Sequence, residues 1–355
     1  MLIRAILMMA FLGGLPAVSH AAELDPADIS RNHDVTDVLP EGYFQESYVH
    51  NAMATYFEIV AYGERGKDSA DQFARAADEA FKAIDSLESR ASSWIRSSQT
   101  SRVNREAADR PIRVAADVFR MIEASQSLYC HTDGAFDITV GPLIDLWRTC
   151  REENRLPTES ELSAARGVIG FDKVTLDAEA RTVSFAKPGL RLNFGGIGKG
   201  FALDEAARIL RSYGVRMAIL HGGASSIVAM GAPPDKAGWT VRVSHPVNEN
   251  EDIESFLLQD ESLSTSGHLI DVMEIDGKKY GHILNPVTGM PVQGIAMTMA
   301  VAPTGTETDG LSTAFFVMGL EGTERYCREH PGVRAVLIPD SETGTFEPIR
   351  IGFDK

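Results

Sequence analysis

The chain has 355 residues with 44% hydrophobic content, enough to bury a sizeable core and too apolar for a disordered chain. Its formal net charge of -16 argues against non-specific binding to nucleic acid or to an anionic membrane surface. A phosphate ligand stays possible, because a bound cation can supply local positive charge.

Met1–Arg4 is a short positive start, and Ala5–Val18 is an apolar run broken by Gly13, Gly14 and Pro16. The run is too short for a comfortable membrane span. Ser19 and Ala21 put small residues at the −3 and −1 positions of a cleavage site. Residues 1–21 therefore read as a secretory signal peptide, leaving a mature chain with no transmembrane span. No Cys follows the apolar run, so a lipid anchor is not expected. Residues 22–40 are polar and aperiodic, a flexible lead into a fold expected over 41–355.

Tyr48–Tyr62 is β-prone around Met53–Phe57. Ser69–Leu87 places Phe73, Ala76, Ala77, Ala80, Phe81, Ile84 and Leu87 at helical spacing. Ser92–Asn104 is Ser-rich and reads as irregular, with Trp94 standing out. Ala115–Cys130 is a second amphipathic helix. Thr158–Arg166 is a short helix with a Thr/Ser-rich start. Lys173–Leu176 and Val183–Phe185 suggest a hairpin. The runs Val215–Leu220, Ser226–Met230, Trp239–Ser244, Phe256–Leu263, Tyr280–Leu284 and Ile295–Ala302 are β-prone. Asp309–Met318 and Gly322–His330 are helical, and Val333–Ile338 and Pro348–Gly352 close the chain. This order predicts an α+β fold with largely antiparallel sheet. The three cysteines, Cys130, Cys150 and Cys327, leave at least one thiol free. A Cys130–Cys150 pair stays open, and the expected role is that of buried small hydrophobes.

The most informative stretch is Leu192-Asn193-Phe194-Gly195-Gly196-Ile197-Gly198-Lys199-Gly200-Phe201. It reads as strand (Leu190–Phe194), glycine turn and helix (Ala202–Tyr213). Glycine lets the backbone approach a ligand, and a helix start offers amides to an anion. The stretch is neither a P-loop nor a dinucleotide fingerprint, because Asn193 and Gly200 break the first and the two-residue glycine spacing breaks the second. The competing reading is a plain glycine turn with an exposed lysine.

Farther on, Asp309 and Thr313 are four apart and share one helical face. A carboxylate and a hydroxyl near a phosphate cradle suit Mg²⁺, which takes oxygen ligands. Helix capping by Thr308 or Asp309 is the alternative. His282 precedes an Asn285-Pro286-Val287-Thr288-Gly289 turn and can deprotonate a nucleophile or be an ordinary strand histidine. Ser264–Gly267 and His221–Ser226 are polar glycine turns, and Gly134–Pro142 includes Phe136, either a ring neighbour or core.

In their joint order these blocks, with Met53–Thr55 and Ser98–Asn104, resemble the ApbE family of FAD:protein FMN transferases from about Glu46 to the C-terminus. The resemblance implies a single α+β domain with a ligand cleft between two sub-lobes. It implies FAD as the substrate and Mg²⁺ as cofactor. It assigns FAD contacts to Met53, Trp94 (where a tyrosine is usual), Ala135, Phe136, Asp137, Asn193 (where Asp is usual), Lys199 and Ile283. It assigns the metal to the Gly196 carbonyl, Asp309 and Thr313, with Thr306 as a further contributor. Asp309 and His282 are the expected catalytic residues. The implied reaction moves FMN onto a Ser or Thr hydroxyl of an exported or membrane-anchored acceptor flavoprotein in the periplasm, releasing AMP. Two rival readings use the same residues: an FAD pyrophosphatase, and a non-catalytic flavin-binding assembly factor.

Overall fold

A computed structural model describes residues 39–248, 250–267, 272–275, 277–341 and 344–353. The expected signal peptide and most of the lead after it lie outside the described residues.

The chain folds around one antiparallel sheet. Its strands are β1 (Tyr43–Ala52), β2 (Thr55–Glu64), β6 (Met217–Gly222), β7 (Ser226–Met230), β10 (Ser262–Gly267), β13 (Ile295–Ala302), β14 (Arg334–Pro339) and β15 (Ile349–Ile351), adjacent in that order. Alternation along each strand sorts side chains between two layers. In β2, Phe57, Ile59 and Ala61 face the helical core while Val60 and Tyr62 face the other side. In β14, Ala335 and Leu337 face the helices while Val336 and Ile338 face away. The second face is covered by the hairpin of β8 (Trp239–Ser244) and β9 (Asp252–Leu258), whose Trp239, Val241 and Phe256 complete that smaller core. Both faces being buried explains why these strands read as apolar runs.

The helical layer contains α1 (Ala70–Ala91), α2 (Gln99–Glu106), α3 (Ala116–His131), α4 (Gly141–Glu152), α5 (Glu159–Val168), α6 (Gly198–Ser212) and α7 (Gly305–Glu329). The apolar stripe of α1, from Phe73 to Leu87, faces the core as its spacing predicts, all of it buried except the partly buried Phe81. Thr158 and Glu161 form a reciprocal capping box that starts α5. A side sheet of β3 (Ile112–Arg113), β5 (Thr182–Phe185) and β4 (Val174–Asp177) contains the expected hairpin. A short hairpin of β11 (Met273–Ile275) and β12 (Lys278–Tyr280) completes the described elements.

Several boundaries differ from the sequence reading. Tyr48–Tyr62 is not one strand but parts of two, joined by a two-residue turn at Met53–Ala54. Ser92–Asn104 is not wholly irregular: Ser98 caps α2, accepting from the Ser101 amide. With Val103 as its only buried apolar residue, that helix has no stripe to read. Leu190–Phe194 forms no strand; Arg191 alone bridges to Val140. Phe256–Leu263 splits between β9 and β10 at a left-handed Asp260. Tyr280 ends β12, so Tyr280–Leu284 is not a continuous strand. The last two helices are one element broken at Gly319, whose φ of 67° lies outside helical space. Cys150 and Cys327 are buried as expected, whereas Cys130 is exposed, and all three are free thiols.

Candidate active site

The site forms where the N-termini of α6 and α7 cross. They approach so closely that a Cβ built on Gly200 would lie 1.9 Å from the Gly305 carbonyl oxygen and 2.7 Å from the Asp309 Cβ. Only glycine fits this crossing. The Gly200 amide then donates to Asp309 Oδ2 at 2.9 Å. Asp309 is 5% exposed, and its other oxygen accepts from Ser226 Oγ at 3.2 Å, with Lys199 Nζ 3.9 Å away.

Asp309 does not cap α7. Thr304 is the N-cap, accepting from the Glu307 amide, which places Asp309 inside the helix. A second cap comes from another helix. Asp204 of α6 accepts from the Gly305 and Thr306 amides at 2.8 Å each. Burial pushes the Asp204 carboxyl above its ordinary range, against the lowering effect of those bonds. Thr306 Oγ1 also donates to Asp204, so its hydroxyl serves this cap rather than the Asp309–Thr313 pair.

A polar seam sets the rotation of α7. Ser264 Oγ meets Thr308 Oγ1 at 3.0 Å, Ser266 Oγ meets Ser312 Oγ at 2.9 Å, and Thr298 Oγ1 donates to the Ser312 carbonyl at 2.6 Å. Buried hydroxyls need partners, so this register is strongly favoured. With Thr308 and Ser312 held to the sheet, Asp309 and Thr313 turn to the glycine bend. A Cβ on Gly196 would sit 3.1 Å from Thr313 Oγ1 and 3.2 Å from the Phe136 ring. Phe136 is buried, and Asp137 beside it accepts from the Thr139 amide at 2.8 Å. Burial raises the Asp137 carboxyl above its usual range. Ala135 is half-buried in the turn, its amide donating to Thr132.

In front of the bend lies a cleft of about 260 Å³, lined by Met53, Trp94, Asn193 and Lys199 among others. Asn193 Oδ1 accepts from the Gly195 amide at 2.8 Å, folding the turn back on itself. Met53 and Ala54 both have left-handed φ, 52° and 57°, the primed geometry a two-residue hairpin requires. Neither is glycine, so the turn stores strain of about 1–3 kcal/mol per residue while aiming Met53 at the cleft. Trp94 is 49% exposed and also lines the cleft.

His282 and Ile283 belong to a separate turn and do not line that cleft among the described residues. Ile283 is buried and its carbonyl accepts from the Val292 amide; His282 beside it is exposed. The following turn is built by Asn285, whose Oδ1 accepts from the Val287 and Thr288 amides. Trp147 of α4 donates to the Gly289 carbonyl at 2.7 Å and fixes this turn to the body.

Ser226 and Asp204 are the contributors that residue reading missed. Ser226 was legible only as part of a glycine turn, and Asp204 only as an acidic residue one helical turn after Gly200.

The donors near Asp309 are a buried carboxylate, the Thr313 hydroxyl and backbone oxygens of a glycine bend. That set fits a hard divalent cation that keeps ligand phosphate oxygens in its shell. No group of three or more His, Cys, Asp or Glu side chains suited to a metal occurs among the described residues. Any cation here would therefore depend on the single Asp309 carboxylate together with hydroxyl, carbonyl and phosphate oxygen.

An antiparallel sheet layered with helices, with a glycine-cradled carboxylate on α7 close to a cleft, defines the class as a mixed α/β protein. The ApbE family model matches residues 53–337, and the chain belongs to that family. It is 31% identical over 236 residues to an FAD:protein FMN transferase of Haemophilus influenzae, covering 64% of this chain and 68% of that protein. It is 29% identical over 242 residues to the Vibrio cholerae protein of the same name, covering 67% and 72%. The apo flavinyl transferase ApbE of Pseudomonas stutzeri superposes with a TM-score of 0.76 at 25% identity, over 87% of this chain and 95% of that one. These relatives are named as transferases, and the fold agrees with that of the solved ApbE structure.

Proposed function

We propose that this chain transfers FMN from FAD to a Ser or Thr hydroxyl of an acceptor protein and releases AMP. The observation that carries this reading is the buried Asp309 carboxylate, held under the glycine bend by the Gly200 amide and beside Lys199. That arrangement prepares one point for a pyrophosphate and its counterion, next to a cleft with ring-stacking walls.

Asp309, Thr313 and the Gly196 carbonyl would hold Mg²⁺, which when bound neutralises charge on the phosphoanhydride. The chain's own groups do the rest. Lys199 balances phosphate charge and orients the FMN-side phosphorus. Met53 and Trp94 flank the flavin, and Asn193 supplies an amide in place of a carboxylate. The acceptor oxygen forms a bond to the FMN-side phosphorus as the bond to the AMP phosphate breaks. The hydroxyl proton passes to His282, whose exposed position suits contact with an incoming protein. The N-terminal signal supports export to the periplasm, where the acceptor is an exported or membrane-anchored flavoprotein. No helix among the described residues is long and apolar enough to cross a membrane.

The test is co-expression with an exported protein carrying an Asp-x-x-Ser/Thr-Gly-Ala-Thr-like segment, scored by UV-fluorescent flavin that survives denaturing electrophoresis. Purified enzyme with FAD and Mg²⁺, with and without acceptor, separates transfer from hydrolysis. Equal AMP release without acceptor, and no labelled acceptor, would refute transfer.

A further inference from the structure

Trp94 is a large aromatic ring, half exposed, on the Ser-rich connection between α1 and α2. Such a ring is ordinarily mobile, yet it forms one wall of the cleft. Its support comes from α4. The Arg148 guanidinium carbon lies 5.7 Å from the Trp94 ring centroid. Arg148 does not line the cleft, so its contact with the ring is made from outside the cleft.

Arg148 is itself anchored. Its Nη2 donates to Asp145 Oδ1 at 3.0 Å, one helical turn back along α4. The other oxygen of Asp145 pairs with Arg191. Arg191 lies two residues before Asn193, in a segment clamped on several sides. Its carbonyl accepts from the Gly141 amide at 3.2 Å, and a Cβ on Gly141 would sit 2.6 Å from that oxygen. Asn104 brackets the next residue, donating to the Leu192 carbonyl and accepting from its amide. One carboxylate on α4 thus ties the tryptophan wall of the cleft to the glycine-turn wall.

We propose that Arg148 and Asp145 are positioning residues, which hold the Trp94 ring at a fixed spacing from the Asn193 turn so that a flat ring system enters a preformed slot. The proposal rests on the flavin-nucleotide reading of the cleft for its ligand, but not for its mechanics. Preorganisation of this kind raises affinity by removing the cost of ordering a side chain on binding.

The test has a ligand-free arm and a binding arm, both on the full purified protein. Trp147 and Trp239 are buried, at 7% and 1% exposure, so acrylamide quenching of fluorescence reports chiefly on Trp94. Arg148→Ala and Asp145→Asn raise the quenching constant about twofold as the ring is released to move. Arg148→Ala also raises the Kd for FAD about fivefold, the size of a partly desolvated cation–π contact, with the loss in turnover falling on KM. In a Trp94→Ala background, Arg148→Ala adds nothing further to the Kd, which a general structural role would not produce. Unchanged quenching in both variants overturns the bracing. Raised quenching with unchanged FAD affinity overturns the slot. If Trp94→Ala itself binds FAD as the native protein does, the flavin reading of the cleft fails, and the quenching result still decides the bracing.

Discussion

Replacing Gly200 by Ala tests the crossing on which the site depends. The added methyl would meet the Gly305 carbonyl oxygen at 1.9 Å and its carbonyl carbon at 2.4 Å. Ordinary carbon–oxygen contact needs about 3.3 Å, so the helices must part by roughly 1.4 Å. Overpacking against movable side chains costs about 1–3 kcal/mol, and here the obstacle is backbone. The displaced Gly200 amide also loses alignment with the Asp309 carboxylate, a charge-assisted bond of about 1.5–3 kcal/mol. The expected loss is about 3 kcal/mol or more. Gly198→Ala is the matched control: its Cβ would meet only Phe194 Cβ, at 3.9 Å, and Ala favours the helix start. Urea denaturation followed by tryptophan fluorescence measures both, and calorimetry with FAD and Mg²⁺ reads the site. Gly200→Ala also lowers FAD binding, because Lys199 moves with the backbone. A Gly200→Ala protein within about 0.5 kcal/mol of Gly198→Ala would refute the reasoning.

Asp309→Asn keeps the shape of the buried side chain but removes its charge; Mg²⁺-dependent AMP release is expected to fall by about 100-fold or more, and unchanged Mg²⁺ titration would exclude Asp309 as a ligand. Glu58 is buried in β2 with Oε2 lacking a hydrogen bond among the described residues, and burial raises its carboxyl above the ordinary range. The folded state therefore holds this proton more tightly than the unfolded chain does, so Glu58 subtracts stability as pH rises from the ordinary carboxylate range through its folded value. Glu58→Gln is expected to stabilise the protein by about 1–3 kcal/mol at neutral pH and to lose that advantage in acid, measured by denaturation at several pH values. Native protein treated with maleimide at pH 7 is expected to take one label, at Cys130. Cys150 is buried, and burial pushes the Cys327 thiol up to about 12; labelling at either without denaturant would contradict the packing.

Much of this protein was legible from local pattern, because some of its elements carry their own instructions. The apolar stripe of α1 has the helical period, and Thr158 with Glu161 writes the start of α5 in four residues. The four glycines from Gly195 to Gly200, with Lys199, marked the bend that the fold brings to the edge of the cleft. Other features have no local signature. Leu190–Phe194 has the composition of a strand, yet Asn104, Gly141 and Ile138 take its backbone groups one by one, and no ladder forms. α2 is polar except for the buried Val103, and it exists because Ser98 caps it and its neighbours hold it.

The role of Asp309 shows the division most clearly. From residues alone, a carboxylate at a helix start is either a cap or a ligand, and both fit the same letters. Thr304 and Asp204 take the capping work, and the serines of β7 and β10 set the rotation of α7. These partners lie between 5 and 105 residues away in sequence, so only long-range packing, through hydrogen bonds that buried polar groups must make, could decide which face of the helix meets the glycine bend.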